Sequence, residues 1–150
     1  MHPHDAHEWD AGTEASLRAW LANDKVVAVG ECGLDYFMGR DSFKKQQHEV
    51  FAAQCQLAVE LGKPVVVHSR EAFADTLAVL RDHGIGKRVP GVIHFFTAPR
   101  AEGEAFLDLG LHLSITGVVT LASAKDLPES VRAFPLERLI SIILRSFISS

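Results

Sequence analysis

Apolar residues in this chain fall into short unbroken runs, separated by longer stretches in which they recur every three or four positions. The unbroken runs are Val26-Val27-Ala28-Val29, Pro64-Val65-Val66-Val67, Gly91-Val92-Ile93, Leu111 to Ile115 and Leu139 to Leu144. Runs of that length without alternation predict strands buried on both faces, as in a parallel sheet. The stretches between them predict helices. Thr13 caps one carrying Leu17, Trp20 and Leu21, which Asn23-Asp24 ends. A second starts at Asp41, carries Phe43, Val50, Phe51, Ala58 and Leu61, and stops at Gly62. A third spans Arg70 to His83 with Phe73, Leu77 and Leu80 as its buried stripe. After a turn at Ala98-Pro99, Ala105 and Phe106 mark a fourth, ended by Gly110, and Val131 and Phe134 mark a last one.

Strand and helix in strict alternation predict an α/β fold with right-handed crossovers, either a doubly wound sheet or a TIM (β/α) barrel. Polar residues at the ends of several separate strands favour the barrel, whose βα loops build one site on the C-terminal face. The segment Gly30-Glu31-Cys32-Gly33 does not match a dinucleotide-binding glycine loop, and it puts an acid where a pyrophosphate would approach. A whole barrel takes about 250 residues, and this chain has 150. The expectation is therefore a partial barrel forming a single domain over residues 1–150, with the first strand and the last part of the barrel missing. Its open edge strands predict aggregation or a swapped oligomer.

Composition narrows the chemistry. A formal charge of −4 with 47% apolar residues excludes a broad basic face for nucleic acid, so phosphate binding would have to be local. Cys32 and Cys55 lack the spacing of a metal knuckle or a disulfide framework, and they read as reduced thiols of a cytoplasmic protein. The start, MHPHDAHEWD, has no secretory character, no apolar run reaches membrane-spanning length, and no obligate protein partner is evident.

Three strands end in metal-competent side chains: Glu31 between two glycines, His68 and His94. Each also fits a plainer role: Glu31 as a strand-end carboxylate paired with Arg70, and either histidine as a satisfied core residue. Their placement at consecutive strand ends is what points to a common site. Arg70 fits either bidentate phosphate binding or a solvated charge at a helix start. Asp35 fits support of a ligand or a loop cap. Tyr36, Phe95 and Phe96 fit stacking on an unpaired base or filling of the barrel mouth. His2 and His4 fit a substrate groove or a frayed end.

Gly30-Glu31-Cys32-Gly33-Leu34-Asp35-Tyr36, His68-Ser69-Arg70, His94-Phe95-Phe96-Thr97 and Ser114-Ile115-Thr116-Gly117 resemble, in order, the signatures of TatD-like metal-dependent hydrolases, a branch of the amidohydrolase-like TIM barrels. His2-Pro3-His4-Asp5 resembles that family's HPH turn. The resemblance implies a deoxyribonuclease with two divalent metals on the C-terminal rim. Phosphodiester hydrolysis would proceed by metal-activated water, on DNA that is single-stranded or presents 3′ ends. It places Glu31, His68 and His94 as ligands of one ion (Mg, Mn or Zn). Glu31 and Arg70 become catalytic, and His4, Asp35, Tyr36, Arg70 and Phe96 meet substrate. The family's opening HxH motif is absent, and Ile143 stands about where a metal-binding aspartate would be, so one of the two metal sites is expected to be retained. The Ser- and Ile-rich end, Leu144 to Ser150, reads as another reading frame joined to a truncated gene. Two further expectations follow: a catalytically impaired or dead pseudo-hydrolase, or a related amidohydrolase-like activity on a C–N or ester bond.

Overall fold

The computed structural model describes the backbone of residues 1–141 and the side chains of all of these except residues 40–42. The predicted extension of the last strand to Leu144, Ile143 and the terminal tail lie outside the described residues. Among the described residues five parallel strands form one sheet: β1 (Val29–Asp35), β2 (Val65–Arg70), β3 (Gly91–Ile93), β4 (His112–Ser114) and β5 (Leu139–Ile140). Their spatial order is β1-β2-β3-β4-β5, so each strand lies beside the next in sequence. Helices α2 (Lys44–Glu60), α3 (Phe73–Asp82), α4 (Arg100–Leu109) and α5 (Leu127–Ala133) fall between successive strands, and each packs on the one after it. A doubly wound sheet reverses its strand order at a switch point. This one never reverses, which is the winding of a barrel wall.

Leu34, Val65, Val67, Ile93, Leu111 and Leu113 meet Phe51, Cys55, Ala58, Leu80 and Phe106 in one continuous core between sheet and helices. Burying that apolar surface is the main force that holds helices to strands. Two glycines end helices as the sequence predicts. Gly62 (φ +64°) follows α2 and Gly110 (φ +102°) follows α4, and in both the backbone enters the left-handed region that costs glycine least. At the far edge, Arg138 donates from its guanidinium to the carbonyl of Leu111 at 2.7 Å, which ties the approach to β5 onto the exit of α4.

Several boundaries differ from the sequence expectation. The first strand begins at Val29 rather than Val26: Val26 N–H closes a turn on Asn23 O at 2.9 Å, Lys63 Nζ donates to Val26 O, and Val27 is 70% exposed. Glu31 is consequently inside β1 and not at its exit. Helix α1 (Ala11–Leu21) is capped by Asp10, whose carboxylate accepts from Thr13 N–H at 2.7 Å, and not by Thr13. Trp20 faces solvent. The second helix begins at Lys44, three residues after Asp41, leaving Phe43 exposed at its N-cap. Arg70 is the last residue of β2 rather than the first of a helix.

Gly103 of α4 sits where two rings meet: a Cβ there would lie 2.5 Å from Phe134 Cζ and 2.9 Å from Phe96 Cζ. Gly103→Ala is expected to cost about 1–3 kcal/mol through overpacking, despite alanine's better helix propensity. Urea unfolding of the variant against the parent chain measures it.

Candidate metal centre

The register of β1 on β2 slips between Val29 and Cys32: Val29 pairs with Val65 and Cys32 with Val67, so three steps on β1 match two on β2. This is a β-bulge at Gly30-Glu31, a device that re-aims a side chain beside a site. Glycine is needed at the slip, because a Cβ on Gly30 would lie 2.6 Å from Val66 Cβ. Past the bulge the pleat resumes with Cys32 and Leu34 buried in the core, and alternation leaves Glu31, Gly33 and Asp35 on the opposite face. Gly33 (φ +136°) lies so close to the backbone of His68 that no side chain fits between β1 and β2 there.

Glu31 Oε1 lies within hydrogen-bond reach of two imidazoles, 3.1 Å from His68 Nδ1 and 3.2 Å from His94 Nδ1. The three strand-end residues singled out in the sequence thus converge on one carboxylate oxygen. Burial alone would raise the Glu31 pKa, but the His68 hydrogen bond and the neighbouring imidazoles outweigh it and hold the carboxyl below its usual range. His2 closes the cluster. Its ring centroid is 4.7 Å from that of His68, and His2, Glu31 and His68 each offer a donor atom within 4.8 Å of the other two. Burial, reinforced by the adjacent His68 and His4, pushes the His2 pKa down to about 4, so it stands neutral and ligand-competent at pH 7.

Behind these residues, Asp35 is fully buried and organises their orientation. Its Oδ2 accepts from His68 Nε2 at 3.0 Å and from His4 Nε2 at 2.8 Å, and its Oδ1 accepts from Phe37 N–H at 3.0 Å. Gln47 of α2 clamps the backbone of Asp35, accepting from its N–H at 2.8 Å and donating to its carbonyl at 3.0 Å. Burial works against the Asp35 anion, yet the bonds from His4, Phe37 and His68 prevail and lower its pKa. Both ring nitrogens of His68 are therefore spoken for: Nδ1 faces Glu31 and Nε2 faces Asp35. A carboxylate on the far nitrogen of a histidine fixes its tautomer and makes the near nitrogen a better ligand.

The two nitrogens and one carboxylate oxygen of His2, Glu31 and His68 suit a divalent ion with open positions, so the residues present fit a metal, with His94 meeting the group through Glu31. The other expected site residues fall in different places. Arg70 is exposed, with its guanidinium carbon 3.5 Å from the Phe37 ring centroid, and not on Glu31. It borders a cleft of about 630 Å³ between the loops that follow β2 and β3. Tyr36 donates to Asp75 at 2.7 Å and meets His48 Nε2 at 2.8 Å. Phe96 is only 2% exposed and packs edge-on against Phe134, so it cannot receive a base; its exposed neighbour is Phe95. His4 is directed at Asp35 and also lines a pocket of about 290 Å³ with Pro3, His7 and Phe43. Neither it nor His2 frays, because the 3₁₀ turn Pro3–Glu8 buries Pro3 and Ala6, and Met1 O accepts from Gln54. Sequence reasoning missed Gln47 and the part played by His2. Glutamine in a helix carries no signal, whereas the HPH turn did flag His2.

A singly wound parallel sheet presenting histidines and a carboxylate from adjacent strands defines a barrel-type protein with a candidate metal centre. The family model described as TatD related DNase matches residues 1–141, and the chain belongs to that family. It is 49% identical over 118 residues to the 3'-5' ssDNA/RNA exonuclease TatD of Edwardsiella piscicida, an alignment covering 78% of this chain and 44% of that protein. It is 41% identical over 137 residues to the uncharacterized metal-dependent hydrolase YcfH of Escherichia coli K12, covering 91% of this chain and 51% of YcfH. Among solved structures, YjjV, a TatD homolog from Escherichia coli K12, superposes with a TM-score of 0.85 at 30% identity, over 93% of this chain and 54% of YjjV. The chain therefore spans about half the length of the curated relatives it matches.

Asp35→Asn removes the anion that holds His68 and His4, and is expected to weaken divalent-metal binding by about tenfold to a hundredfold, as read by titration calorimetry. In the metal-free protein the lowered Asp35 pKa contributes stability that is complete above about pH 4, where the unfolded chain's aspartates are also ionised. That contribution is lost as pH falls through the lower folded pKa. Asp35→Asn should accordingly show a shallower fall in unfolding free energy between about pH 4 and pH 2 than the parent chain, followed by denaturant titration at each pH.

Proposed function

We propose that this chain forms a single domain and acts as a metal-dependent phosphodiesterase on single-stranded nucleic acid, with Glu31, His68 and His94 as the core of its metal site and His2 beside them. The observation that carries this reading is the Glu31 carboxylate held between two imidazoles from adjacent strands, with the far side of one imidazole fixed by a buried aspartate. A divalent ion held there would supply charge stabilisation at a phosphoryl oxygen and make water a better nucleophile. Mg, Mn and Zn all match a mixed nitrogen and oxygen donor set.

The chain's own residues do the rest. Glu31 Oε1, His68 Nδ1 and His94 Nδ1 are the atoms that would hold the cation, and each would have to be free of a proton to do so. Asp35 keeps the Nε2 proton of His68 and so holds Nδ1 free to ligate. Neutral His2 adds a donor without adding charge. Arg70 stands at the cleft between the second and third loops, braced on Phe37, where a guanidinium can take a phosphate bidentately. The substrate class is supported by the relative from Edwardsiella piscicida, named as an exonuclease of single-stranded DNA and RNA.

Among the described residues, no helix is long and apolar enough to cross a membrane. Cys32 and Cys55 are unpaired and buried, which supports a reducing, cytoplasmic setting. Nucleotide release from a 3′-labelled single-stranded oligonucleotide in Mg²⁺ or Mn²⁺ tests the assignment. Glu31→Gln should lower the rate by at least about a hundredfold, as loss of transition-state charge stabilisation implies, and EDTA should abolish it. Absence of release by the parent chain with every divalent ion would leave a non-catalytic member of the family.

A further inference from the structure

The backbone turns sharply as it leaves β3. His94 N–H donates back to Val67 O of β2 at 2.8 Å, and Phe96 N–H donates forward to Ser114 O of β4 at 2.9 Å. Phe95, between them, has φ +52°, a left-handed conformation that is uncommon for any side chain and an outlier for a bulky one. Glycine or asparagine would make this turn with less strain. The residue is instead a phenylalanine that is 50% exposed, while the next one along is buried. Two costs, backbone strain and an apolar face in water, thus coincide one residue from His94. Strain of this kind persists where surrounding structure enforces it and tends to gather at functional sites.

Other aromatic rings near the strand ends are occupied. Phe37 carries the Arg70 guanidinium at 3.5 Å, Tyr36 carries Lys44 Nζ at 4.3 Å and stacks on His48, and Phe96 packs on Phe134. Phe95 has no cation over its face among the described residues. Its centroid lies 6.3 Å from that of His94, tilted by 48°. A flat hydrophobe at that remove from a metal-site imidazole is placed to hold the base of a nucleotide whose phosphate sits at the metal.

We propose that Phe95 is a specificity-determining residue that stacks on the unpaired base next to the scissile phosphodiester. A paired base has both faces covered by its neighbours in the duplex, so such a platform selects single strands, and stacking tolerates any base. The proposal rests on the nuclease reading above, which it sharpens by naming how the strand is recognised.

The test is binding of a fluorescein-labelled, phosphorothioate-linked single-stranded decamer in Mn²⁺, beside a fully abasic decamer with the same linkages. Phe95→Ala should weaken binding of the intact decamer by about tenfold or more and leave binding of the abasic one within twofold, and Phe95→Trp should retain the parent affinity. Phe95→Asn, which relieves the backbone, should melt no lower than the parent chain while still losing the intact decamer. Equal affinity of Phe95→Ala and the parent chain for the intact decamer would overturn the proposal, as would equal loss of both decamers. If the parent chain also cleaves an ordinary oligonucleotide, only the stacking role fails; if it neither binds nor cleaves, the nuclease reading fails with it.

Discussion

A carboxylate drawn largely out of water is tolerable only where positive or proton-bearing groups close around it, and Glu31 meets that demand with the imidazoles of His68 and His94 on one oxygen. Everything nearby serves this arrangement. The bulge at Gly30-Glu31 turns the side chain to the site, Gly33 lets β1 press onto His68, and Asp35 grips the far nitrogen of the same ring. Asp35 is itself a buried anion, and it is stabilised by three donors and by the Gln47 clamp on its backbone. Charge burial therefore propagates inward from the site to helix α2, one hydrogen bond at a time. Removing a middle member of such a chain leaves its neighbours unpaired in a dry setting, which costs more than the bond itself.

Much of this was legible beforehand. Five apolar runs named five strands, and Glu31, His68 and His94, read as their end residues, named a shared rim. The order of the sheet bears out the barrel-type reading over the doubly wound one. What failed to show in the sequence has physical causes. Val26 and Val27 look like strand residues, but periodicity cannot see that a turn from Asn23 and a lysine on a carbonyl hold them outside the ladder. Thr13 and Asp10 are both good caps, and only the backbone trajectory decides between them. Phe95 and Phe96 are indistinguishable as letters; a single left-handed residue sends one ring to solvent and the other to the core. Gln47 bonds to a backbone it reaches only after folding, so no local pattern announces it.

The loops after β1, β2 and β3 share a feature. Met38, Glu71 and Phe95 all have positive φ near +52°, and each lies within three residues of a strand end. Loops on that face thus bend abruptly soon after they leave the sheet. Elsewhere, left-handed backbone in the described chain is carried by glycine. The strain is thus confined to the rim bearing the candidate metal centre, while the opposite ends of the strands are joined with relaxed geometry.

Cys32 and Cys55 bear on a different matter. Both are fully enclosed between sheet and α2, and burial pushes the Cys32 thiol up to about 12 and raises Cys55 as well. A thiol must ionise to react, so neither can meet an external alkylating reagent until α2 lifts off the sheet. The pace at which the native protein takes up such a reagent is then a built-in clock for opening of the layer that also anchors Gln47 and, through it, Asp35.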